Sequence, residues 1–440
     1  MAYRNFANPE LSRRSLFRGG AYAAAGATLA TLPFGRELLA HSVDESWPNV
    51  AALAKKYIDE RKVAQMYLTF GWGQEDHAHH VGGGTLALNS DVEVDENSLY
   101  RIYSMTKPVT GMAAMILIDE GVMGLDQPIH EFLPAYKDMM VQVEYDGAIT
   151  EDNLEPAKSH ITVRHLLTHT AGIGYGIIQQ GPIVQAYNEA GIIAGRVSRL
   201  PIPGIFQGAP VGSLEAFADG LAQFPLVLQP GTKFSYSMSL DLLGRVIEVA
   251  AGQPFDQFLK ERIFDPCGMD STYFQVPSAD VGRLTDNYGI LNGNAFPIDP
   301  AATSIYLDEA PFPTGGAGLV SSPKDYDRFL RMLLGYGKLG ETRVMSDAAV
   351  RKGVSNLFPE GTDLAGTWME GQGHGAGGRS VNGTFGWGGA AGTLAAVDYN
   401  LGLRACLFTQ YMPTDAYPIR DEYLAALEAD TAAMRAKKAA

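Results

Sequence analysis

The sequence predicts a mixed α/β (α+β) fold: an antiparallel sheet flanked by helices, with a large helical lobe inserted between its two halves. Two observations lead there. Runs rich in β-branched and aromatic residues stand at both ends of the chain, at 63–70 and 84–88 and again at 392–399 and 403–411, and turn residues bound them as they bound strands. Segments of helical period separated by Gly/Pro loops fill the long middle. Strands so far apart must meet in one sheet, and the lobe between them leaves a cleft, where a small-molecule site is expected.

The first forty residues read as an address. Ser12-Arg13-Arg14-Ser15-Leu16-Phe17-Arg18 resembles a twin-arginine export signal with Leu and Phe in swapped order, and an uncharged Ala-rich stretch follows to Gly35. That stretch is too short and too weakly apolar for a membrane span. The expectation is a precursor handled by the twin-arginine export machinery, cut near Ala40, and a periplasmic or secreted product with no stable membrane insertion. The cut removes five basic and two acidic residues, which takes the formal charge from −15 to −18. Such an acidic surface excludes nucleic acid as a partner, since phosphate binding needs clustered Lys and Arg. Hydrophobic residues at 46% and charged residues at 19% suit an ordinary soluble core. Cys267 and Cys406 alone make no disulfide framework.

Residues 41–440 then form the folded body, with a sheet lobe at about 45–107 and 340–440 and a helical lobe at about 108–340. An amphipathic helix is expected over 50–61. A hairpin of the 63–70 and 84–88 runs follows, around a turn holding His77, His79 and His80. The clearer helices of the middle are 163–168, 213–224, 239–251 and 255–263. Ser322 and Pro323 supply the cap and first residue of another. Asn400-Leu401-Gly402 joins the last two strands, and 417–435 is a terminal helix.

Chemistry concentrates at Ser104-Met105-Thr106-Lys107, between a β-prone run and the apolar helix that Gly121 closes. Three residues apart on a helix, Ser104 and Lys107 share a face, and a serine hydroxyl needs such a neighbour to become nucleophilic. A second Ser-x-x-Lys, Ser321/Lys324, is better explained by surface helix capping. No Gly-x-Ser-x-Gly elbow or phosphate-binding loop occurs. Gly373-His374-Gly375-Ala376-Gly377-Gly378 reads as a flexible loop, with no strand leading into it. His77, His79 and His80 lack an obvious carboxylate partner, and His165 and His169, at i, i+4, have Leu166 where a zinc motif carries Glu; no metal and no cofactor is expected. Tyr236 stands at a loop-to-helix junction, where a phenol beside an ammonium can shuttle a proton. Phe385-Gly386-Trp387-Gly388-Gly389-Ala390 enters the late strands with residues small enough to bring backbone N–H groups to an oxyanion.

Taken in order, these segments resemble the serine β-lactamase-like superfamily, and within it class C β-lactamases and family VIII carboxylesterases. Ser104-Met105-Thr106-Lys107 matches the first motif, Tyr236-Ser237-Met238 lies where the family has Tyr-x-Asn, and Trp387-Gly388-Gly389 lies where class C enzymes have Lys-Thr-Gly. Leu125-Asp126-Gln127-Pro128, Leu166 to Gly172, Pro230-Gly231 and Gly315 to Leu319 also follow the pattern. The resemblance implies a β-lactamase/transpeptidase-like fold and an acyl-enzyme on Ser104. Lys107 and Tyr236 would share proton transfer, with either as formal base. The N–H groups of Ser104 and Ala390 would form the oxyanion hole, and Tyr175 would line the cleft. Two departures bear on substrate. Trp387 replaces the Lys that would hold a β-lactam or peptide carboxylate, a charge-assisted contact worth about 1.5–3 kcal/mol. Met238 replaces the amide-donating Asn. Both favour neutral esters, so a serine carboxylesterase is the expected activity. The alternatives are a β-lactamase, D-amino-acid peptidase or acyltransferase of the penicillin-recognising type, and an inactive binding protein on the same scaffold.

Overall fold

The first helix, α1 (Pro48–Asp59), buries Val50, Leu53, Ala54 and Tyr57, the i, i+3, i+4, i+7 spacing of an amphipathic helix. In this computed structural model residues 46–200, 202 and 208–439 are described; the export-like stretch, its cut near Ala40 and most of the Pro201–Gly204 loop lie outside them. Trp47 gives α1 no side-chain cap. Instead the Asp430 carboxylate accepts the N–H groups of Asn49 at 3.1 Å and Val50 at 3.0 Å.

Strand β1 (Gln65–Trp72) turns back into β2 (His79–Gly84), earlier than the 84–88 segment expected from sequence. The cause is backbone proximity. Gly82 pairs with Tyr67, and a Cβ at Gly82 would stand 2.1 Å from the Met66 carbonyl, so a glycine run that reads as a turn is pressed flat against its partner. His79 and His80 therefore belong to a strand, and His80 has a carboxylate partner after all, Glu96 at 3.0 Å.

After β3 (Tyr100–Arg101) comes α2 (Thr106–Asp119), whose first twelve residues are all buried. The helices of the middle follow, and those at Ser239–Ala251 and Phe255–Leu259 pack against it. In chain order the helices are α3 (Val163–Leu167), α4 (Pro182–Glu189), α5 (Leu214–Leu221), α6 (Ser239–Ala251) and α7 (Phe255–Leu259), the last continuing through a π turn at Lys260–Phe264. A side hairpin, β4 (Asn287–Leu291) with β5 (Asn294–Asp299), precedes β6 (Val320–Ser321), which pairs with β3. Ser322 caps α8 (Pro323–Leu334) by accepting the Asp325 N–H at 3.1 Å. Ser321, however, is not on the surface: it is fully buried against Thr272.

Helix α9 (Asp347–Gly353) leads to β7 (Gly373–His374), β8 (Arg379–Val381), β9 (Thr384–Gly388), β10 (Leu394–Asp398), β11 (Leu403–Phe408) and β12 (Tyr411–Met412), and α10 (Ile419–Ala439) follows. The main sheet has seven antiparallel strands in the order β7-β8-β9-β10-β11-β1-β2. The register Tyr67↔Phe408 joins its two halves. The Gly373–Gly378 segment is thus the strand-bearing edge of the sheet, not a flexible loop. Its glycines serve contact: a Cβ on Gly377 would lie 2.2 Å from the Lys107 carbonyl, and one on Gly111 would lie 2.1 Å from that of Ala376. No described helix is long and apolar enough to cross a membrane.

Candidate active site

Ser104 sits in a single 3-10 turn, Tyr103–Met105, that opens directly into α2. Three contacts fix this turn. The Ile102 N–H donates to the Leu319 carbonyl at 3.1 Å, Tyr326 donates its hydroxyl to the Met105 carbonyl at 2.8 Å, and Thr106 accepts the Leu319 N–H at 3.1 Å. Tyr103 is held at φ +41°, a left-handed conformation that costs a bulky residue free energy and that only over-determined surroundings maintain.

One turn into α2, Lys107 is fully buried. Its ammonium donates to Ser104 Oγ at 3.2 Å and to the Gly316 carbonyl at 2.7 Å, and lies 4.7 Å from the centre of the Tyr236 ring, a cation–π distance. From the other side the Tyr236 hydroxyl reaches Ser104 Oγ at 2.8 Å. Three side chains, 132 residues apart at the extremes, thus converge on one oxygen. Proton transfer needs donors and acceptors within hydrogen-bond reach of the nucleophile, and both candidates satisfy it.

The remaining residues singled out from sequence surround this trio. Trp387, on β9, stacks obliquely on Tyr236 with ring centres 5.9 Å apart. Gly388 ends β9, and Gly389 begins the turn that returns through Ala390 to β10. A Cβ on Gly389 would stand 2.3 Å from the Ile102 carbonyl, so only glycine brings this turn beside the nucleophile turn. Tyr175 is buried with its ring 5.7 Å from Tyr236, and burial, aided by Asp241, drives its phenol well above the usual value. Met238 caps the start of α6 without a side-chain hydrogen bond. It lines a cavity of about 810 Å³ with Tyr187, Ile192, Val184 and Gly176. Neither this cavity nor another depression, about 720 Å³ and lined by Arg245, Glu215 and Glu248 among others, has Ser104, Lys107 or Tyr236 in its lining.

Sequence reasoning passed over three participants. Asp241, on the first turn of α6, accepts the Gly316 N–H at 2.7 Å through Oδ1, so Gly316 links it to Lys107. Its carboxyl is fully buried, and burial pushes its pKa up to about 6 against the pull of Lys107. The available signal was a carboxylate five residues beyond Tyr236, amid the apolar face Leu240, Leu242 and Leu243. Trp368 completes the aromatic wall, 5.3 Å from Trp387 and 6.2 Å from Tyr236, and nothing in its glycine-rich surroundings marks it. His374 stacks edge-on to Trp387 at 5.3 Å.

His165 and His169 do not face each other as ligands. His165 closes a capping box with Thr162, and burial lowers its pKa to about 4. His169 faces Ser237 at 3.0 Å. Among the described residues no three His, Cys, Asp or Glu side chains gather closely enough to hold a metal ion. Cys267 and Cys406 are both buried and unpaired as disulfide partners.

Comparison with known proteins places the chain among relatives of the same fold. Protein Rv1367c of Mycobacterium tuberculosis (strain ATCC 25618 / H37Rv) is 35% identical over 284 residues, which are 64% of this chain and 66% of that protein, just under two thirds of its length. Esterase EstB of Burkholderia gladioli is 30% identical over 71% of this chain and 78% of its own. Among solved structures, EstCE1, described as a hydrolase with promiscuous acyltransferase activity, superposes with a TM-score of 0.67 at 24% identity, over 86% of this chain and 99% of that one. The family model named Beta-lactamase matches residues 50–430. With its seven-stranded sheet, its helical insertion and a serine, lysine and tyrosine converging between them, the chain belongs to the beta-lactamase family.

Proposed function

We propose that the protein hydrolyses neutral carboxylic esters through an acyl-enzyme on Ser104. The observation that carries this reading is the placement of the Tyr236 hydroxyl at 2.8 Å and the Lys107 ammonium at 3.2 Å from Ser104 Oγ. Ser104 Oγ attacks the ester carbonyl as its proton passes into the Lys107–Tyr236 pair. The N–H groups of Ser104 and Ala390 face the developing oxyanion. The same pair returns a proton to the leaving alkoxide, and water then releases the acid by the reverse sequence. Lys107 and Tyr236 both touch Ser104 Oγ, so either serves as the formal base.

The choice of ester over β-lactam rests on the wall of the site. Trp387, Trp368 and Tyr175 surround Tyr236. No lysine stands at position 387 to pair with a substrate carboxylate. An aromatic wall desolvates an acyl or alcohol group well and an anion poorly. The same wall supports a second reading, transfer of the acyl group to an alcohol, because it discourages water at the acyl-enzyme; the name of EstCE1 includes that activity for that protein.

A panel of p-nitrophenyl acetate, p-nitrophenyl butyrate and nitrocefin, run with and without an added alcohol, tests both. Ester turnover far above nitrocefin turnover, fluorophosphonate labelling of Ser104, loss of turnover in Ser104→Ala and a fall of at least about 100-fold in Tyr236→Phe are the expected results. Nitrocefin turnover equal to that of the esters, or labelling at another serine, overturns the reading. Alcohol-dependent ester products outweighing acid would replace hydrolysis by transfer.

A further inference from the structure

Behind Tyr236 lie two histidines that the proposed mechanism does not use. His169 and His374 are both fully buried, and their rings meet edge to face with centres 5.6 Å apart. His169 grips the Tyr236 segment on both sides. Its carbonyl accepts the Ser235 N–H at 2.9 Å, its Nδ1 accepts the Ser237 N–H at 3.2 Å, and its ring lies 4.7 Å from that of Tyr236. To do so it adopts φ +55°, which a non-glycine residue holds only where its surroundings impose it.

The tautomers follow from the partners. Nδ1 of His169 faces both the Ser237 N–H at 3.2 Å and the Ser237 hydroxyl at 3.0 Å; the N–H can only donate and the hydroxyl can turn to donate as well, so the geometry favours an unprotonated Nδ1 and a ring hydrogen on Nε2. The Nδ1 of His374 faces the Gly375 carbonyl at 2.8 Å. A carbonyl can only accept, so that nitrogen is protonated and Nε2 offers a lone pair. Each Nε2 is buried without a protein partner, one a donor and the other an acceptor, on rings already in contact. Burial keeps both rings neutral: His374 is lowered to about 4, and His169 well below the usual histidine value, with His374 and Lys107 adding to the effect.

We propose that His169 and His374 form a donor–acceptor pair, from Nε2–H to Nε2 across one bridging water, that locks the His169 tautomer and makes His169 the positioning residue of Tyr236. A flipped or tautomerised His169 would offer Ser237 an N–H in place of a lone pair and would release the segment that aims the phenol at Ser104. The pair joins sheet edge to helical lobe, since His374 belongs to β7 and His169 follows α3. It rests on the reading of Tyr236 as a proton-transfer group.

Two measurements test it. In protein labelled with 15N-histidine, the ring spectra between pH 6 and 8 should show His169 as the Nε2–H tautomer and His374 as the Nδ1–H tautomer, both neutral. The opposite tautomer at either ring, or a charged ring, overturns the pair. The second is a double-mutant cycle. His374→Phe keeps a ring against Trp387 and removes both nitrogens. His169→Asn tolerates the left-handed backbone and keeps an acceptor for Ser237. Each should lower kcat about tenfold with KM within about twofold and leave Tm within a few degrees. Neither should lower kcat further in the Tyr236→Phe background. Wild-type kcat in both single variants, or full additivity with Tyr236→Phe, overturns the positioning role; should His374→Phe not fold, the spectra of the unmutated protein still decide. A Tyr236→Phe protein of wild-type activity would instead remove the reading beneath it and leave the tautomers untouched.

Discussion

Asp241 shows what a single buried carboxyl does to this molecule. Its pKa is raised from 3.8 to about 6 by burial, so the folded state favours the protonated form more than the unfolded chain does. The stability it contributes is complete below about pH 4 and is lost as pH rises through about 6, where the charge has to be carried in the interior, a difference of about 3 kcal/mol. Asp241→Asn keeps an oxygen for the Gly316 N–H and never charges. Relative to the unmutated protein it should gain about 3 kcal/mol of unfolding free energy at pH 8 compared with pH 4; chemical denaturation at the two pH values measures it, and an identical difference at both would show that the carboxyl titrates normally. Ser104, Lys107 and Tyr236 were legible in the sequence because their chemistry is written in residue type and local spacing. Asp241, Trp368 and His374 were not, because each acquires its role from a neighbour more than 60 residues away: Gly316, Tyr236 and His169 in turn.

The turn between β9 and β10 is the element on which the arrangement depends most closely. It lies against the Ile102 carbonyl on one side, and on the other Arg420 of α10 donates to the Gly389 carbonyl at 2.8 Å. A methyl at Gly389 fits neither beside Ile102 nor beside Thr393 Oγ1, each 2.3 Å from where it would stand. Gly389→Ala should therefore cost about 100-fold in kcat together with a lower Tm. Gly212→Ala, where a Cβ meets nothing within 4 Å, is the control expected to leave both unchanged; equal behaviour of the two would dismiss the close approach as immaterial. Elements with a strong helical period were read nearly to the residue, as with α6, expected and found at 239–251. Glycine-rich elements were misread. In β2 and at Gly373–Gly378 glycine marks contact between backbones, and a single sequence does not distinguish that from a turn.

At the scale of the whole molecule, the expectation that distant strands form one sheet holds, and β1 lies between β2 and β11 with residue 67 facing residue 408. The seam explains why the sheet was legible while its edge was not: central strands carry continuous apolar runs, whereas β7 has two residues and the Ala376-Gly377 turn after it rests on α2 and α3. Asp430 caps α1 from the opposite end of the chain, so the N-terminus of the first helix and the middle of the last are already adjacent. The order in which the polypeptide is read is then separable from the shape it makes. Nine residues of α10 beyond Asp430 span about 14 Å, within reach of a flexible linker of about eight residues. A circular permutant joined there and opened at the exposed Gly340 hairpin turn should retain ester turnover within about threefold of the parent. A permutant that folds but has lost turnover would mean that the seam needs its ends free.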